Sequence, residues 1–245
     1  MRALLPIAED DVDVHAWYAQ DWLEPGGLRV NFVSSADGAA TADGLSRGLQ
    51  TKGDNRVFAA LRDLADVVVA GAGTVRTEGY RPIKISERRR AIRRQYGLDE
   101  LQPIAVISRS LRLDPSAELF TAAPADARTI VITGSAGDPE VRRELEKTAD
   151  VVIAGDEDVD FTAARAALVE RGLTRILCEG GPTLFGDIAR TGNVDELCLS
   201  ITPLLVGPGA RRIVAGDLWT EPYRLTLAGL LEEDDALFCR YLVPR

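Results

Sequence analysis

Two glycine-bearing segments of the sequence combine residues that could hold a phosphate group. The first, Gly71-Ala72-Gly73-Thr74, follows the apolar run Val67-Val68-Val69, and the second, Glu179-Gly180-Gly181-Pro182-Thr183-Leu184, follows Leu177-Cys178. Each places glycines where a strand is expected to end and a helix to begin, so backbone N–H groups and the helix dipole favour a phosphate there. Pro182 suits the first helical position, and the glycine pair allows a ligand to approach closely.

The two segments differ in how strongly they indicate a site. Arg76 stands where a dinucleotide-binding Rossmann fingerprint needs its third glycine, so the first segment is equally consistent with a tight strand-to-helix turn. Glu179 is a charged residue at the end of an apolar strand, beside a glycine pair, which favours a functional site over a plain turn. The sequence therefore points to chemistry at Glu179.

The composition restricts the classes of protein that these segments can serve. The chain has 245 residues, which suits one large α/β domain or two small ones. Its formal net charge of −9 opposes general nucleic-acid binding, and 46% hydrophobic with 27% charged residues is typical of a soluble globular protein. No window approaches the roughly 18 apolar residues of a membrane span, so we expect a cytoplasmic protein without membrane contact.

The scarcity of histidine and cysteine narrows the chemistry further. His15 is the only histidine, so multi-imidazole metal sites and Ser-His-Asp triads are hard to build, and we expect no metal. Cys178, Cys198 and Cys239 are widely spaced, which suits buried thiols in a reducing compartment better than a disulfide framework. A proton for catalysis would then come from a carboxylic acid or from water.

The elements that must position these residues alternate along most of the chain. Helical spacing of Val57, Leu61 and Leu64 predicts a helix over 54–64, and a second helix is expected over 161–171. Short β-branched runs predict strands at 28–34, 66–70, 104–108, 129–133, 151–154 and 175–178. This alternation predicts an α/β fold, with a mostly parallel sheet of about seven or eight strands flanked by helices.

The C-terminal part of the sequence changes character. Runs at 196–203, 223–231 and 236–243 are expected to be strands without intervening helices. The last two would form a hairpin around Glu232-Glu233-Asp234-Asp235. The sheet is therefore expected to be mixed, with an antiparallel end.

No repeat or linker interrupts the chain, so we predict a single domain over 1–245. Residues 1–27 are interpreted as an N-terminal extension, and residues 84–98 as an arginine-rich, exposed helical insertion. A solvated helix face is the simpler interpretation of those arginines, and a nucleic-acid or phosphate patch is the alternative.

The order and spacing of several motifs resemble the reductase domain of riboflavin biosynthesis, from about residue 29 to residue 242. These motifs are Asn31-Phe32-Val33-Ser34-Ser35-Ala36-Asp37-Gly38, the turn at 71–74, the run at 179–184, Val194-Asp195-Glu196-Leu197 and Pro203-Leu204-Leu205-Val206-Gly207. The resemblance implies a dihydrofolate reductase-like three-layer α/β fold and a homodimer. It also implies NADPH-dependent reduction of 5-amino-6-(5-phosphoribosylamino)uracil to the ribitylamino compound, by hydride transfer to C1 of the opened ribosylimine. The deaminase signatures of bifunctional members have no counterpart in this sequence.

The resemblance further implies which residues contact cofactor and substrate. Substrate contacts fall on Ser46, Arg62 and Glu179, although Arg62 is equally consistent with a surface arginine. The phosphate end of the substrate would be held by Arg81, by Lys84 or by neither. The cofactor would lie against Val33, Gly48, Gly71, Gly73, Thr74, Glu78, Gly180, Gly181, Pro182, Thr183 and Leu184, where Glu78 matches the family's acid in position but not in identity.

A second resemblance is to dihydrofolate reductase itself. The stretch Ile107-Ser108-Arg109-Ser110-Leu111 is similar to the one that binds the 2′-phosphate there, which favours NADPH over NADH and makes Ser108 and Arg109 its ligands. Asp54 is spaced like the acid that holds the pterin ring and is a candidate substrate residue. A helix N-terminal acid that complements the dipole is the simpler interpretation of Asp54.

Two carboxylates, Asp37 and Glu179, are the candidate catalytic residues. Either would steady positive charge on the iminium nitrogen, and a partly desolvated carboxyl group could donate a proton. Asp37 is equally consistent with a residue that braces the turn at Gly38. The rival function on the same fold is a pterin reductase, and the alternative from another class is an NADPH-binding protein without turnover.

Overall fold

The computed structural model describes residues 1–20, 22 and 26–244. Parts of the predicted N-terminal extension (1–27), and the last residue of the predicted domain, lie outside the described residues. The chain divides into two units: the first holds the N-terminal segment, Gly27–Leu64 and the chain from Cys178 onwards, and the second holds Ala65–Leu177.

Strands and helices alternate through the middle of the chain. The strands are β1 (Arg2–Leu5), β2 (Leu28–Ser35), β3 (Val67–Gly71), β4 (Ile104–Ile107), β5 (Ile130–Thr133), β6 (Asp150–Ile153), β7 (Ile176–Cys178), β8 (Glu196–Thr202), β9 (Thr226–Glu233) and β10 (Ala236–Leu242). The helices are α1 (Val14–Ala19), α2 (Lys52–Leu64), α3 (Ala72–Glu78), α4 (Glu87–Gln95), α5 (Glu118–Thr121), α6 (Pro139–Glu146), α7 (Phe161–Val169) and α8 (Pro182–Arg190), with 3-10 turns at Ser46–Leu49 and Ala125–Ala127.

The first unit is built on strands in the order β1-β9-β10-β8-β2. β2 and β8 are parallel, with Arg29 beside Glu196, and the remaining pairs are antiparallel. β9 and β10 form the predicted hairpin, and its turn residues Asp234 and Asp235 have φ of 52° and 65°. Positive φ at both central residues is the conformation of a type I′ turn, one of the two turns favoured in two-residue hairpin loops.

Helices cover both faces of this part of the sheet. On one face, a Cβ at Gly229 of β9 would lie 2.6 Å from the Trp17 ring of α1, so only glycine allows the helix to pack there. On the opposite face, Phe32 of β2 stacks on Phe185 of α8 at a centroid distance of 5.3 Å. Arg29 of β2 packs against the Tyr18 ring of α1. Successive side chains of a strand point to opposite faces, so Arg29 and Phe32 lie on different faces, and α1 and α8 lie on opposite sides of β2.

A buried ionic network that the sequence analysis did not anticipate joins β2, β8 and β10. Glu196 accepts from Arg29 Nη2 at 3.0 Å and from Arg240 Nε at 2.8 Å, and the rings of Trp17 and Tyr18 pack over the guanidinium groups. Burial by itself would raise the pKa of Glu196, but the charges of Arg29 and Arg240 outweigh burial and hold that pKa below its usual range. The carboxylate therefore stays ionised between two cations.

The second unit has strands in the order β7-β3-β4-β5-β6, and the ladders β3–β4, β4–β5 and β5–β6 are parallel. Val67, Val68 and Val69 are buried, as expected of a strand covered on both faces. Asp138 caps α6 by accepting from the N–H groups of Glu140 and Val141. The predicted α/β class, with mostly parallel strands and a C-terminal hairpin, is confirmed.

Some details of the sequence prediction are wrong. Ten strands are found in the described residues where about seven or eight were expected. Nine of them match the runs named from the sequence, and the tenth, β1, pairs with β9 and lies within the predicted N-terminal extension. Strand β9 begins at Thr226, three residues later than predicted. The single-domain arrangement stays a prediction.

The arginine-rich segment does form a helix, α4, but the expectation of an exposed face is wrong for two of its arginines. Arg89 and Arg93 are 9% and 0% exposed. Arg93 Nη1 donates to the carbonyl of Ala65 at 2.7 Å, and Arg89 Nη2 donates to Gln102 Oε1 at 2.5 Å. These two bonds attach α4 to the residues around it. The bond from Arg93 also satisfies the buried carbonyl of Ala65, just before β3 begins.

The three cysteines are free and buried, as predicted. Burial raises the pKa of Cys178 to about 12. Among the described helices, none is long and apolar enough to cross a membrane. Within the same residues, no three His, Cys, Asp or Glu side chains are grouped so that they could hold a metal ion.

Candidate active site

Arg62 and Glu179, two predicted substrate residues, form a bidentate ion pair in the first unit. Arg62 lies in the last turn of α2, and Glu179 directly follows β7. Arg62 Nε donates to Oε1 and Nη2 donates to Oε2, both at 2.6 Å, while the guanidinium lies 4.4 Å from the Phe58 ring centroid. The side chains of Arg62 and Glu179 are only 23% and 3% exposed, so Arg62 is more than a surface arginine. Two parallel hydrogen bonds fix the orientation of the carboxylate.

The glycine pair after Glu179 lies against β2 and leads into α8. The Gly180-Gly181 peptide is cis, and Gly180 has φ of +82°. A Cβ at Gly180 would lie 2.5 Å from the Phe32 ring, so a larger residue has no room there. Gly181 is the N-cap of α8, with Pro182 at the first helical position and no side chain capping the helix. The first turn of α8 thus offers backbone N–H donors of the kind that bind an anion.

The carboxylate of Asp37 connects the turn after β2 to the segment that follows β8. Its carboxylate accepts from the Ser35 hydroxyl, from the N–H of Val206 at 3.1 Å and from the N–H of Gly207 at 2.7 Å. The Ser35 hydrogen bond, together with the two amides, holds the pKa of Asp37 below its usual range. An exposed carboxylate with a lowered pKa is ionised at neutral pH and is a poor proton donor.

Asp54 is a buried carboxyl group in the first turn of α2. It is 3% exposed, and burial raises the pKa of Asp54, although the nearby hydroxyl group of Ser200 on β8 opposes that rise. On the neighbouring strand β2, Asn31 is buried and its Oδ1 has no hydrogen-bond partner among the described residues. Asn31 and Ser200 lie on one face of adjacent strands, since Asn31 is beside Cys198 and Val33 is beside Ser200.

The sequence analysis did not select Asn31 or Ser200. A polar residue between the apolar residues Val30 and Phe32 is the signal that could have drawn attention to Asn31, because such residues are costly to bury without a partner.

The remaining first-unit candidates are Val33, Ser46 and Gly48. Val33 is a buried residue of β2, and Ser46 is the half-buried first residue of the 3-10 turn. A Cβ at Gly48 would lie 2.8 Å from Cβ of Ala42, so a larger side chain would push the two apart. Whether these three residues touch a cofactor or a substrate stays a prediction.

The other candidates lie in the second unit, around the ends of β3 and β4. Gly71 is the N-cap of α3 and has no side-chain cap, and a Cβ at Gly73 would meet no atom within 4 Å. Thr74 lies half-buried in the same short helix, and Glu78 is its last residue. These features leave the start of α3 open to a ligand.

Two predicted phosphate ligands of the second unit have carboxylate partners. Arg109 Nη1 lies 2.9 Å from Asp158 Oδ1, with side chains 72% and 75% exposed, and Ser108 beside it is buried. Arg81 Nε lies 2.9 Å from Glu118 Oε2, again between exposed side chains. Exposed pairs of this kind contribute at most about 1 kcal/mol, so a phosphate could displace either carboxylate.

Comparison with known proteins finds one matching family and two relatives that share a name. The family model of the RibD C-terminal domain matches residues 27–236. A protein of Methanothermobacter thermautotrophicus, named 2,5-diamino-6-ribosylamino-4(3H)-pyrimidinone 5′-phosphate reductase, is 30% identical over 190 residues, covering 77% of this chain and 83% of the relative. A protein of the same name from Archaeoglobus fulgidus is 29% identical over 181 residues, covering 73% of this chain and 80% of the relative.

Solved structures share the fold. A pyrimidine reductase-like protein from Corynebacterium diphtheriae superposes with a TM-score of 0.83 at 29% identity, covering 96% of this chain and 100% of that chain. The riboflavin biosynthesis reductase Rib7 of Saccharomyces cerevisiae superposes with a TM-score of 0.66 at 15% identity, covering 93% of this chain and 98% of that chain. At 15% identity, the second likeness concerns the fold alone.

Proposed function

Because this chain belongs to the RibD C-terminal domain family, we propose that it is a pyrimidine reductase of riboflavin biosynthesis. The observation that carries the proposal is the Arg62–Glu179 pair, which holds a buried carboxylate beside the glycine pair at the start of α8. Its substrate is a ribosylaminopyrimidine 5′-phosphate. The 5-amino-uracil form is the one that the sequence resemblance implies, and the 2,5-diamino form is the one in the names of the two relatives.

The proposed cofactor is NADPH, which supplies a hydride when it is bound. The uncapped first turn of α8 fits a phosphate of the cofactor, because Gly181 carries no side chain that would compete for the N–H groups. Arg109 with Ser108 is proposed to bind the 2′-phosphate, since a guanidinium beside a hydroxyl suits a phosphate dianion. Val33, Gly48, Gly71, Gly73, Thr74, Glu78 and the residues at 180–184 are the other proposed cofactor contacts.

The proposed role of Glu179 is electrostatic. When the ribosylamine ring of the substrate opens, positive charge develops on the iminium nitrogen beside C1, the carbon that accepts the hydride. A carboxylate in a fixed position stabilises that charge. Arg62 keeps both carboxylate oxygens in one orientation, so little reorganisation is needed when the charge forms. Ser46 and Arg81 are the proposed contacts for the rest of the substrate.

A pterin reductase is the second candidate, and the surroundings of Asp54 are the observation that favours it. The Asp54 carboxyl group and the unpaired Oδ1 of Asn31 are buried acceptors. A ring that carries amino and N–H donors would satisfy them, and unsatisfied buried acceptors are costly. A 2,5-diaminopyrimidinone presents similar donors, so Asp54 also fits the first proposal.

We further propose that the protein is a cytoplasmic homodimer. Its free cysteines fit a reducing compartment. Large apolar side chains are exposed in the segment that follows β8, with Leu205 82% and Leu218 96% exposed. Exposed apolar side chains grouped in one segment suit contact with a second copy, and sedimentation would show twice the chain mass of 26.5 kDa.

The deciding experiment is a substrate comparison. Purified protein and NADPH are mixed with the ribosylaminouracil 5′-phosphate, the diaminopyrimidinone 5′-phosphate or dihydrofolate, and nicotinamide absorbance is followed. Oxidation with either pyrimidine, with a product two hydrogens heavier by mass, supports the proposal. Oxidation with dihydrofolate alone would move the function to pterin reduction. Tight NADPH binding without turnover on all three would indicate a binding protein.

A further inference from the structure

Residues 203–216 form a segment without helix or strand, here called the strap, which leaves β8 and runs to α8. Its first half is held by the turn that follows β2. The N–H of Ala36 donates to the carbonyl of Leu204 at 2.9 Å, and the N–H of Ala40 donates to the carbonyl of Arg211 at 2.7 Å. Between these two bonds, Asp37 accepts from both Val206 and Gly207.

The far end of the strap lies on the first two turns of α8. The N–H of Ala215 donates to the carbonyl of Pro182 at 3.1 Å. A Cβ at Gly186 would lie 2.2 Å from the carbonyl oxygen of Ala215, so glycine is required for the strap to approach the helix this closely. The strap therefore touches the same turn of α8 that follows the glycine pair.

We propose that Asp37 is a positioning residue: by binding the strap, it fixes the first turn of α8 and the candidate cofactor residues at 180–184. The cofactor role of residues 180–184 rests on the proposed function. A segment without a strand ladder depends on its few hydrogen bonds for its position, and Asp37 accepts two of them. The carboxylate is occupied by donors from Ser35, Val206 and Gly207, which suits support of a loop rather than proton transfer.

The turn that carries Asp37 is itself well fixed. The N–H of Gly38 donates to the carbonyl of Ser35 at 3.0 Å, and the N–H of Ala39 donates to Ser35 Oγ at 2.9 Å. Gly38 has φ of +88°, a conformation that glycine adopts readily. Because the turn is anchored to the end of β2, movement after loss of the carboxylate is expected in the strap and not in the turn.

The test measures cofactor affinity, turnover and hydrogen exchange in the Asp37→Asn variant of the full chain. We expect exchange at the amides of Val206, Gly207 and Ala215 to speed up about tenfold, as for loss of a charged hydrogen bond. The Kd for NADPH is expected to rise about tenfold, with kcat changed less than about twofold.

Asp114→Asn is the matched control. Asp114 is also an exposed carboxylate, and it accepts from the hydroxyl group and the backbone N–H of Ser116. Its pKa is likewise lowered, mainly by the hydrogen bond from the Ser116 hydroxyl group. This variant should leave exchange in the strap and the Kd for NADPH unchanged.

Two results would overturn the proposal. If Asp37→Asn lowers kcat about a hundredfold at unchanged Kd, Asp37 acts in the chemistry itself. If exchange rises at Val206 and Gly207 but neither exchange at Ala215 nor the Kd for NADPH changes, Asp37 holds only the nearby part of the strap and does not position α8. Should the wild-type protein bind no NADPH, the proposed function fails separately, and exchange at Ala215 alone decides whether Asp37 positions α8.

Discussion

Arg62 binds both carboxylate oxygens of Glu179 at 2.6 Å, across 117 positions of the chain. The pair joins the end of α2 to the residue that precedes the glycine pair. A guanidinium presents two parallel donors in a rigid plane, whereas an ammonium group is a point charge. The geometry at Glu179 therefore depends on arginine and not merely on a positive charge.

Arg62→Lys is expected to lower kcat/KM for the pyrimidine substrate about tenfold to hundredfold, because lysine keeps the charge but loses the fixed orientation of Glu179. Steady-state kinetics would measure this change. Arg56→Lys is the control, since Arg56 lies on the same helix and pairs with Glu233 while 47% exposed. Equal kinetics for Arg62→Lys and the wild type would remove the positioning role of Arg62.

Glu179→Gln is expected to bind NADPH normally and to lose turnover by about a hundredfold or more, because the amide cannot stabilise the developing cation. Isothermal titration gives the cofactor affinity, and absorbance at the nicotinamide band gives turnover. Unchanged turnover would exclude an electrostatic role for Glu179.

Asp54→Asn is expected to raise stability at neutral pH. Burial raises the pKa of Asp54 in the folded protein, so the ionised carboxylate costs stability above that pKa, and the cost disappears as pH falls below the unfolded value of about 4. In urea titrations, the variant should therefore be more stable than the wild type at pH 7, with the gap closing towards pH 4 or below. A gap that stays constant with pH would show that the pKa of Asp54 is the same in the folded and unfolded states.

Arg109→Ser is expected to lower the preference for NADPH over NADH about tenfold, since the 2′-phosphate would lose its guanidinium partner. Asp158→Ala is the complementary variant, because it frees Arg109 from the 2.9 Å pair and should leave NADPH binding equal or tighter. Dissociation constants for the two cofactors test both variants. A preference that survives Arg109→Ser would assign the 2′-phosphate to other residues.

Glu196→Gln is expected to destabilise the protein by about 3–5 kcal/mol, because it leaves two buried guanidinium groups without an anion. Denaturant titration measures this loss. Replacing Arg29, Glu196 and Arg240 together by apolar residues of similar size should restore most of the stability, because no buried charge is left unpaired. A large loss in the triple variant would show that packing, not charge, dominates at this position.

Much of the framework follows from local pattern. The β-branched runs predict the strands around Val68 and Ile132 to within two residues, and the acidic turn predicts the hairpin. Glu179 and Arg62 can be selected one by one from the sequence. Their contact cannot, because nothing local relates two residues 117 positions apart.

Other features were missed for the same reason. Asp37 meets Gly207 from 170 positions away, and Arg93 reaches the carbonyl of Ala65 from 28 positions away. In each case a polar side chain satisfies the backbone of a distant segment, and such bonds have no periodicity that a sequence displays. An arginine that supports a carbonyl has the same local pattern as one that faces solvent.

The network of Arg29, Glu196 and Arg240 also has a bearing on how the protein is made. Arg29 is the first of the three to emerge from the ribosome, Glu196 follows 167 positions later, and Arg240 another 44 positions after that. Until Arg240 is available, the nascent chain can pair Glu196 with only one of its two cations, and β8 lacks its partner β10. Folding of the first unit during synthesis must therefore wait for the C-terminal strand, and chains that stop short of residue 240 are expected to be recognised by proteases as incomplete.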